Sequence, residues 1–209
     1  MGKSKAAKLD LYKEHKDQYV QARKPVLLTI PPVWYLTIEG RGEPESQAFT
    51  SRVGTLYNVA FTIKMTRKFA GKGDYKVCGL EALWWAEDKS RCFLDVPREK
   101  WCWKVLIRTP ELITKADLSD AHAALAKKGK GPEVAQVRLE SMEEGLCVQM
   151  LHVGPFADEP ATLAEMERFA NKNGLEFTGP HHELYLSDPR RTPPQRLKTV
   201  LRMPVRKQY

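Results

Sequence analysis

Glu183 is the residue of this chain best suited to chemistry. It stands in His181-His182-Glu183-Leu184-Tyr185-Leu186-Ser187-Asp188, a run that otherwise reads as a strand. Side chains alternate along a strand, so Glu183 and Tyr185 share one face while Leu184 and Leu186 take the other. One face is then core, and the other carries a carboxylate with a phenol beside it. On an open sheet such a Glu is a solvated acid. Under aromatic cover it sits in a low dielectric, where burial raises its pKa toward neutrality and it can bind a cation or act as a base. The aromatic supply favours cover. All five tryptophans, Trp34, Trp84, Trp85, Trp101 and Trp103, fall in the first half. Leu83-Trp84-Trp85 and Trp101-Cys102-Trp103 put indoles on both faces of their strands, more than one packed sheet face accommodates.

Other chemistries lack their residues. His181 and His182 point to opposite faces, so they cannot both join Glu183, and no ligand spacing supports His152 as a partner; no metal is expected. Cys78, Cys92, Cys102 and Cys147 form no C-x-x-C pair and read as reduced packing residues. Gly40-Arg41-Gly42-Glu43-Pro44 looks superficially like a phosphate-binding turn, but it lacks a third glycine and places Pro at the helix start. No G-x-S-x-G elbow or comparable nucleophile motif is present. The sequence implies no cofactor.

The elements that must position Glu183 follow from periodicity. An amphipathic helix starts near Pro44-Glu45-Ser46 and carries Phe49, Val53, Leu56, Tyr57, Ala60 and Ile63 on one side. A second opens at Asp158-Glu159-Pro160 and stops at Asn173-Gly174, a left-handed terminating signal. Strands precede them at Trp34 to Glu39 and Cys147 to Val153, and follow them at Leu80 to Glu87 and His182 to Ser187. Each half closes on a similar phrase, Ile107-Arg108-Thr109-Pro110 and Leu201-Arg202-Met203-Pro204, so an internal duplication is the economical reading. Further strands at Val26 to Ile30 and Val134 to Glu140 complete each half. The expected fold class is α+β: duplicated strand-helix-strand-strand modules forming an antiparallel sheet, helices on one face and a ligand groove on the other. The expected divisions are a basic extension over 1–25, a first module over 26–113, a linker helix over 114–131 opened by Thr114-Lys115-Ala116-Asp117, and a second module over 132–209 with a basic tail.

With 209 residues, 42% of them hydrophobic, the chain can bury a sizeable core. No segment is apolar enough to span a membrane, and the start lacks a secretory signal, so a cytoplasmic protein without membrane association is expected. The net charge of +8 is concentrated at the ends, which carry +4 over residues 1–24 and +7 over 190–209 around a body at −3. That distribution argues against a dedicated nucleic-acid site. Oligomeric state is not legible.

The same residues carry a resemblance. Tyr35-Leu36-Thr37-Ile38-Glu39-Gly40-Arg41-Gly42-Glu43-Pro44, Gly79-Leu80-Glu81-Ala82-Leu83-Trp84-Trp85, Leu151-His152-Val153-Gly154-Pro155-Phe156, the helix from Val53 to Lys64 and the Glu183 segment through Pro194 resemble the GyrI-like small-molecule-binding superfamily. They are similar to its stand-alone branch of cyclopropanoid cyclopropyl hydrolases, which destroy DNA-alkylating natural products of the yatakemycin and CC-1065 type. The resemblance implies a pocket with Glu183 inside it, and no helix-turn-helix segment accompanies the module. Opening a cyclopropane fused to a dienone needs a base for water and a donor for the developing oxyanion. Glu183 is the candidate base and Tyr57 or Tyr185 the candidate donor; Tyr35, Trp84, Trp103 and His152 are candidate ligand-binding residues. The expected partner is a small aromatic or cationic hydrophobic compound. Two alternatives remain open: the same pocket holding such a compound without turnover, and a gyrase-inhibiting interaction protein.

Overall fold

The computed structural model describes residues 8–88 and 93–208; Cys92 lies outside them. The strands are β1 (Val26–Ile30), β2 (Val33–Arg41), β3 (Glu81–Ala86), β4 (Trp101–Arg108), β5 (Arg138–Met142), β6 (Gly145–Val153), β7 (Leu175–Phe177), β8 (His181–Tyr185) and β9 (Lys198–Lys207). The helices are α1 (Leu11–Glu14), α2 (Gln47–Phe69), α3 (Lys115–Lys127) and α4 (Glu159–Lys172). The strands form one sheet in the order β1-β6-β9-β8-β3-β4-β2-β5, with β7 paired to β9, and the paired neighbours run antiparallel. This is the expected α+β class. Strand-helix-strand-strand occurs twice, as β2-α2-β3-β4 and as β6-α4-β8-β9 with the short β7 inserted after α4, and the two meet where β8 pairs with β3.

The outer strands cross over. β1 pairs with β6 rather than its sequence neighbour β2, and β5 pairs with β2. Pro31-Pro32 explains the first crossing. A two-residue hairpin needs positive φ at its centre, and the proline ring fixes φ near −65°. The strand expected over 134–140 begins later, at Arg138, because Pro132–Gln136 forms a 3-10 turn.

The helices form where the pattern placed them. Ser46 caps α2 through the Phe49 amide, and Leu56, Val59, Ala60 and Ile63 bury one side at helical spacing. Thr114 and Asp117 make a reciprocal capping box on α3. Pro160 stands in the first turn of α4, and Gly174 beyond its end adopts φ +68°.

Both long helices cover the same face. Ala82, Glu183 and Leu201 stand side by side across β3, β8 and β9. Ala82 packs with the buried side of α2, and Leu201 packs with Met166 and Ala170 of α4. Glu183 therefore lies on the helix-covered face, at the seam between α2 and α4, and not on an uncovered one as expected. Leu184 on the reverse face is apolar for another reason: Tyr19 of the N-terminal segment packs against it.

That segment is strapped down. Arg108 and Arg202, from the two similar closing phrases, both grip Gln18, through its side chain at 2.8 Å and its carbonyl at 2.7 Å. Beneath it, His182 lies between Glu144 at 2.9 Å and Glu81 at 3.1 Å, and Glu144 also pairs with Arg202 at 2.7 Å. Burial alone would push the Glu144 carboxyl up and the His182 imidazole down. The charges of His182 and Arg202 nevertheless hold the Glu144 carboxyl down to about 2, and Glu144 with Glu81 raises His182 to about 9. Arg202, counted in sequence as tail charge, is thus a core residue only 2% exposed.

Candidate active site

The floor of the seam comes from β3 and β8. Trp84 pairs with His181 and Ala82 with Glu183, so the indole, the imidazole and the carboxylate project together beneath the helices. His181 Nε2 lies 3.2 Å from Glu183 Oε1 without the alignment of a full hydrogen bond. Tyr185, two residues on, directs its hydroxyl at the same carboxylate. A fourth group arrives from α4: Glu159, in its first turn, is 6% exposed and hydrogen-bonds Glu183.

Two buried carboxyl groups in contact cannot both ionise cheaply. Burial, and then the charge of Glu183, push Glu159 up to about 10, so it keeps its proton. Burial works on Glu183 as well, but His181, Tyr185 and the Glu159 proton together hold it below the ordinary carboxylate value. This reverses the expectation that Glu183 would be raised toward neutrality. The raised acid is Glu159, and Glu183 is an ionised base beside it. Tyr185 is pushed well above 10 by burial and the adjacent Glu183 charge, so it remains a phenol able to donate.

Trp84 Nε1 approaches the Tyr185 hydroxyl and Thr199 Oγ1 the Glu159 carboxyl, contacts that, like that of His181 Nε2 with Glu183, fall short of full alignment. Buried polar atoms are normally well paired, so a cluster of imperfectly aligned ones at one spot is a place where a bound molecule gains hydrogen bonds. Glu159, His181 and Glu183 also bring ligand-type atoms within 4.8 Å of one another. Nothing in the local sequence marks that trio, because an acid at the start of a helix, as Glu159 is, is ordinary.

Aromatic rings wall the floor. Phe49 of α2 stacks on Trp84 at 5.5 Å and meets Trp103 edge-on at 5.0 Å. Trp101 meets Trp84 edge-on at 5.7 Å, and Phe93 lies parallel over His181 at 5.4 Å. Trp103 is wholly buried. Its ring occupies the space a Cβ on Gly40 would need, 2.2 Å away, and its Nε1 donates to the Gly42 carbonyl at 3.2 Å. The glycines of Gly40-Arg41-Gly42 thus seat an indole.

The other candidate residues lie apart. Tyr35 is buried on the reverse face, packed with Leu83 and Leu106. His152 is turned to Thr162 at 2.8 Å and the Pro155 carbonyl at 3.1 Å, locking the connection from β6 into α4. Tyr57 is half-buried on α2, its hydroxyl at the Leu80 amide near the turn where Arg190 grips Asp188. Trp85 packs on the reverse face with Tyr35, and Trp34 is 36% exposed. Two surface depressions, of about 390 and 490 Å³, are lined by the Arg191–Lys198 loop and by β2, β4 and β5, and neither includes Glu183. Among the described residues, no helix is long and apolar enough to cross a membrane, and Cys78, Cys102 and Cys147 are free and buried.

Comparison with known proteins matches residues 23–206 to the GyrI-like small molecule binding domain. A structure of an uncharacterized conserved protein from Listeria innocua is 39% identical, with a TM-score of 0.88 over 95% of this chain and 100% of that one. A structure described as a hydrolase from Listeria innocua is 37% identical, with a TM-score of 0.84 over 95% of this chain and 100% of that one. The C-terminal domain of EcmrR, at 11% identity and a TM-score of 0.58 over 88% of this chain and 98% of that one, shares the fold. No curated protein sequence matches.

Proposed function

The chain belongs to the GyrI-like small-molecule-binding family, and from that membership we propose that it holds a planar hydrophobic compound over Glu183 and hydrolyses it, with cyclopropanoid DNA-alkylating agents as the substrate class. The observation that carries this reading is the proton-sharing pair. An ionised Glu183 beside a protonated Glu159 and a neutral Tyr185 provides a base and two acids within one buried aromatic site. The description of a 37% identical relative as a hydrolase supports the same class of activity.

The chemistry balances on these groups. Water attacks a cyclopropane carbon, and its proton passes to Glu183. The ring C–C bond breaks, and its electron pair moves through the dienone to the carbonyl oxygen. Tyr185 donates its proton to the resulting phenolate. The proton taken by Glu183 then returns to Tyr185 along the hydrogen bond between them. The sum is one water added and one strained ring opened. Trp84 and its neighbours supply flat apolar surface for the substrate. A second reading rests on the same Glu183 charge: an anion among aromatic rings also suits a lipophilic cation held without turnover.

Purified protein incubated with a cyclopropanoid and followed by mass spectrometry separates the two. Accumulation of the water adduct above the buffer rate supports hydrolysis. Saturable binding with no adduct supports the cation binder.

A further inference from the structure

We propose that Phe93 is an internal occupant of the ligand site, a ring the ligand must displace, and that it thereby sets which compounds are accepted. The inference rests on the pocket reading above and assigns a residue that reading does not use. Phe93 lies in the short 3-10 turn Phe93–Asp95, between β3 and β4 in the chain. Its ring lies over His181, with centroids 5.4 Å apart and planes inclined by 10°, and it meets Trp101 edge-on at 4.9 Å.

His181 is the floor residue whose Nε2 reaches Glu183. A flat molecule sandwiched between two rings needs them roughly 7 Å apart, twice the ordinary contact distance between carbon atoms. The present gap holds no third layer. A planar compound seated on His181 with its reacting carbon at Glu183 must therefore take the place of the Phe93 ring. The phenyl group has the attributes of the expected ligand: flat, apolar, parallel to the floor and framed edge-on by an indole. A phenyl ring offers the imperfectly aligned polar atoms of the floor no hydrogen bond, as a hydrocarbon stand-in would. The ligand then wins by its polar groups and larger flat area, so small monocyclic aromatics that merely equal the phenyl group are rejected.

The test uses the full chain with 9-aminoacridine, a flat fluorescent cation, and acrylamide quenching of tryptophan emission as a ligand-free readout. Phe93→Ala should bind the probe about tenfold more tightly, the scale of one lost aromatic stacking contact, and its tryptophan emission should be more quenchable. Phe93→Leu, which keeps apolar volume without a flat face, should move both readouts the same way and guards against a folding defect. Trp84→Ala should weaken the probe. If Phe93→Ala weakens binding as Trp84→Ala does, Phe93 is a wall and the inference fails. Unchanged binding and quenching in both Phe93 variants also overturn it. If quenching rises in the Phe93 variants while no form of the protein binds the probe, the occupant stands and the pocket reading fails.

Discussion

Replacing a buried glutamate that hydrogen-bonds another glutamate should make this protein more stable, and more so as pH rises. Glu159 has its carboxyl raised from an ordinary 4.5 to about 10 in the folded chain. Below pH 4.5 the group is protonated in both folded and unfolded states and contributes no pH dependence. Between 4.5 and about 10 the unfolded chain releases the proton and the folded chain keeps it, so stability falls by about 1.36 kcal/mol per pH unit. At pH 7 that amounts to about 3 kcal/mol as a ceiling. Glu159→Gln removes the titration while its amide can still donate to Glu183. Burying the more polar amide returns about 1 kcal/mol, leaving a net gain of about 1–2 kcal/mol at pH 7. For a chain of this length that is about 2–8 °C in melting temperature. Urea midpoints measured from pH 4 to 9 on both proteins give the result directly: the variant about 1 kcal/mol less stable near pH 4, the two curves crossing as pH rises, and a gap in favour of the variant that widens above the crossing. A variant equally destabilised at every pH would refute the shared-proton assignment, because it would mean that Glu159 is ionised in the folded state.

The two indoles assigned to the ligand in sequence should now behave differently. Both are buried core indoles, so Trp84→Ala and Trp103→Ala should each cost about 3–5 kcal/mol of stability, but only Trp84→Ala should also weaken a planar ligand, by about 1–3 kcal/mol in the folded fraction, as read by fluorescence titration. Trp103 is held against Gly40; a Trp103 variant of wild-type stability would contradict that packing role. Glu144→Gln leaves His182 and Arg202 buried without their shared counter-charge and should cost about 3–5 kcal/mol. It should also speed proteolysis of the strapped residues 8–25, and unchanged cleavage there would show that the network does not hold the strap.

Much of this was legible in the sequence because period and punctuation agree. The helices at 47–69 and 159–172, the antiparallel α+β class and the repeated strand-helix-strand-strand order follow from helical spacing, caps and paired phrases. Alternation correctly placed Glu183 and Tyr185 on one face. It could not say which face, because Leu184 is covered by Tyr19, more than 160 positions away in sequence, rather than by a helix. Glu159 escaped notice because an acid in the first turn of a helix is ordinary; its burial depends on β8, which no local pattern reports. His181 could be placed beside Glu183 by the i, i+2 rule, but its stacking under Phe93 is a long-range fact. Tyr35 was drawn in by a matching phrase, and its face was fixed only by the register of β2 on β4. The strand exchange, by contrast, was present in Pro31-Pro32, two residues that forbid the hairpin between β1 and β2.

The most direct test of the account is the single-turnover hydrolysis rate of Glu183→Gln against wild type, with ligand affinity measured on the same samples. Wild type should be flat from about pH 6 to 8, since Glu183 is already ionised there and Glu159 still protonated. The variant keeps the shape of the side chain and loses the base, so its rate should fall by about two to four orders of magnitude while affinity changes little. Hydrolysis by the Gln variant at the wild-type rate would contradict the assignment of Glu183 as the base.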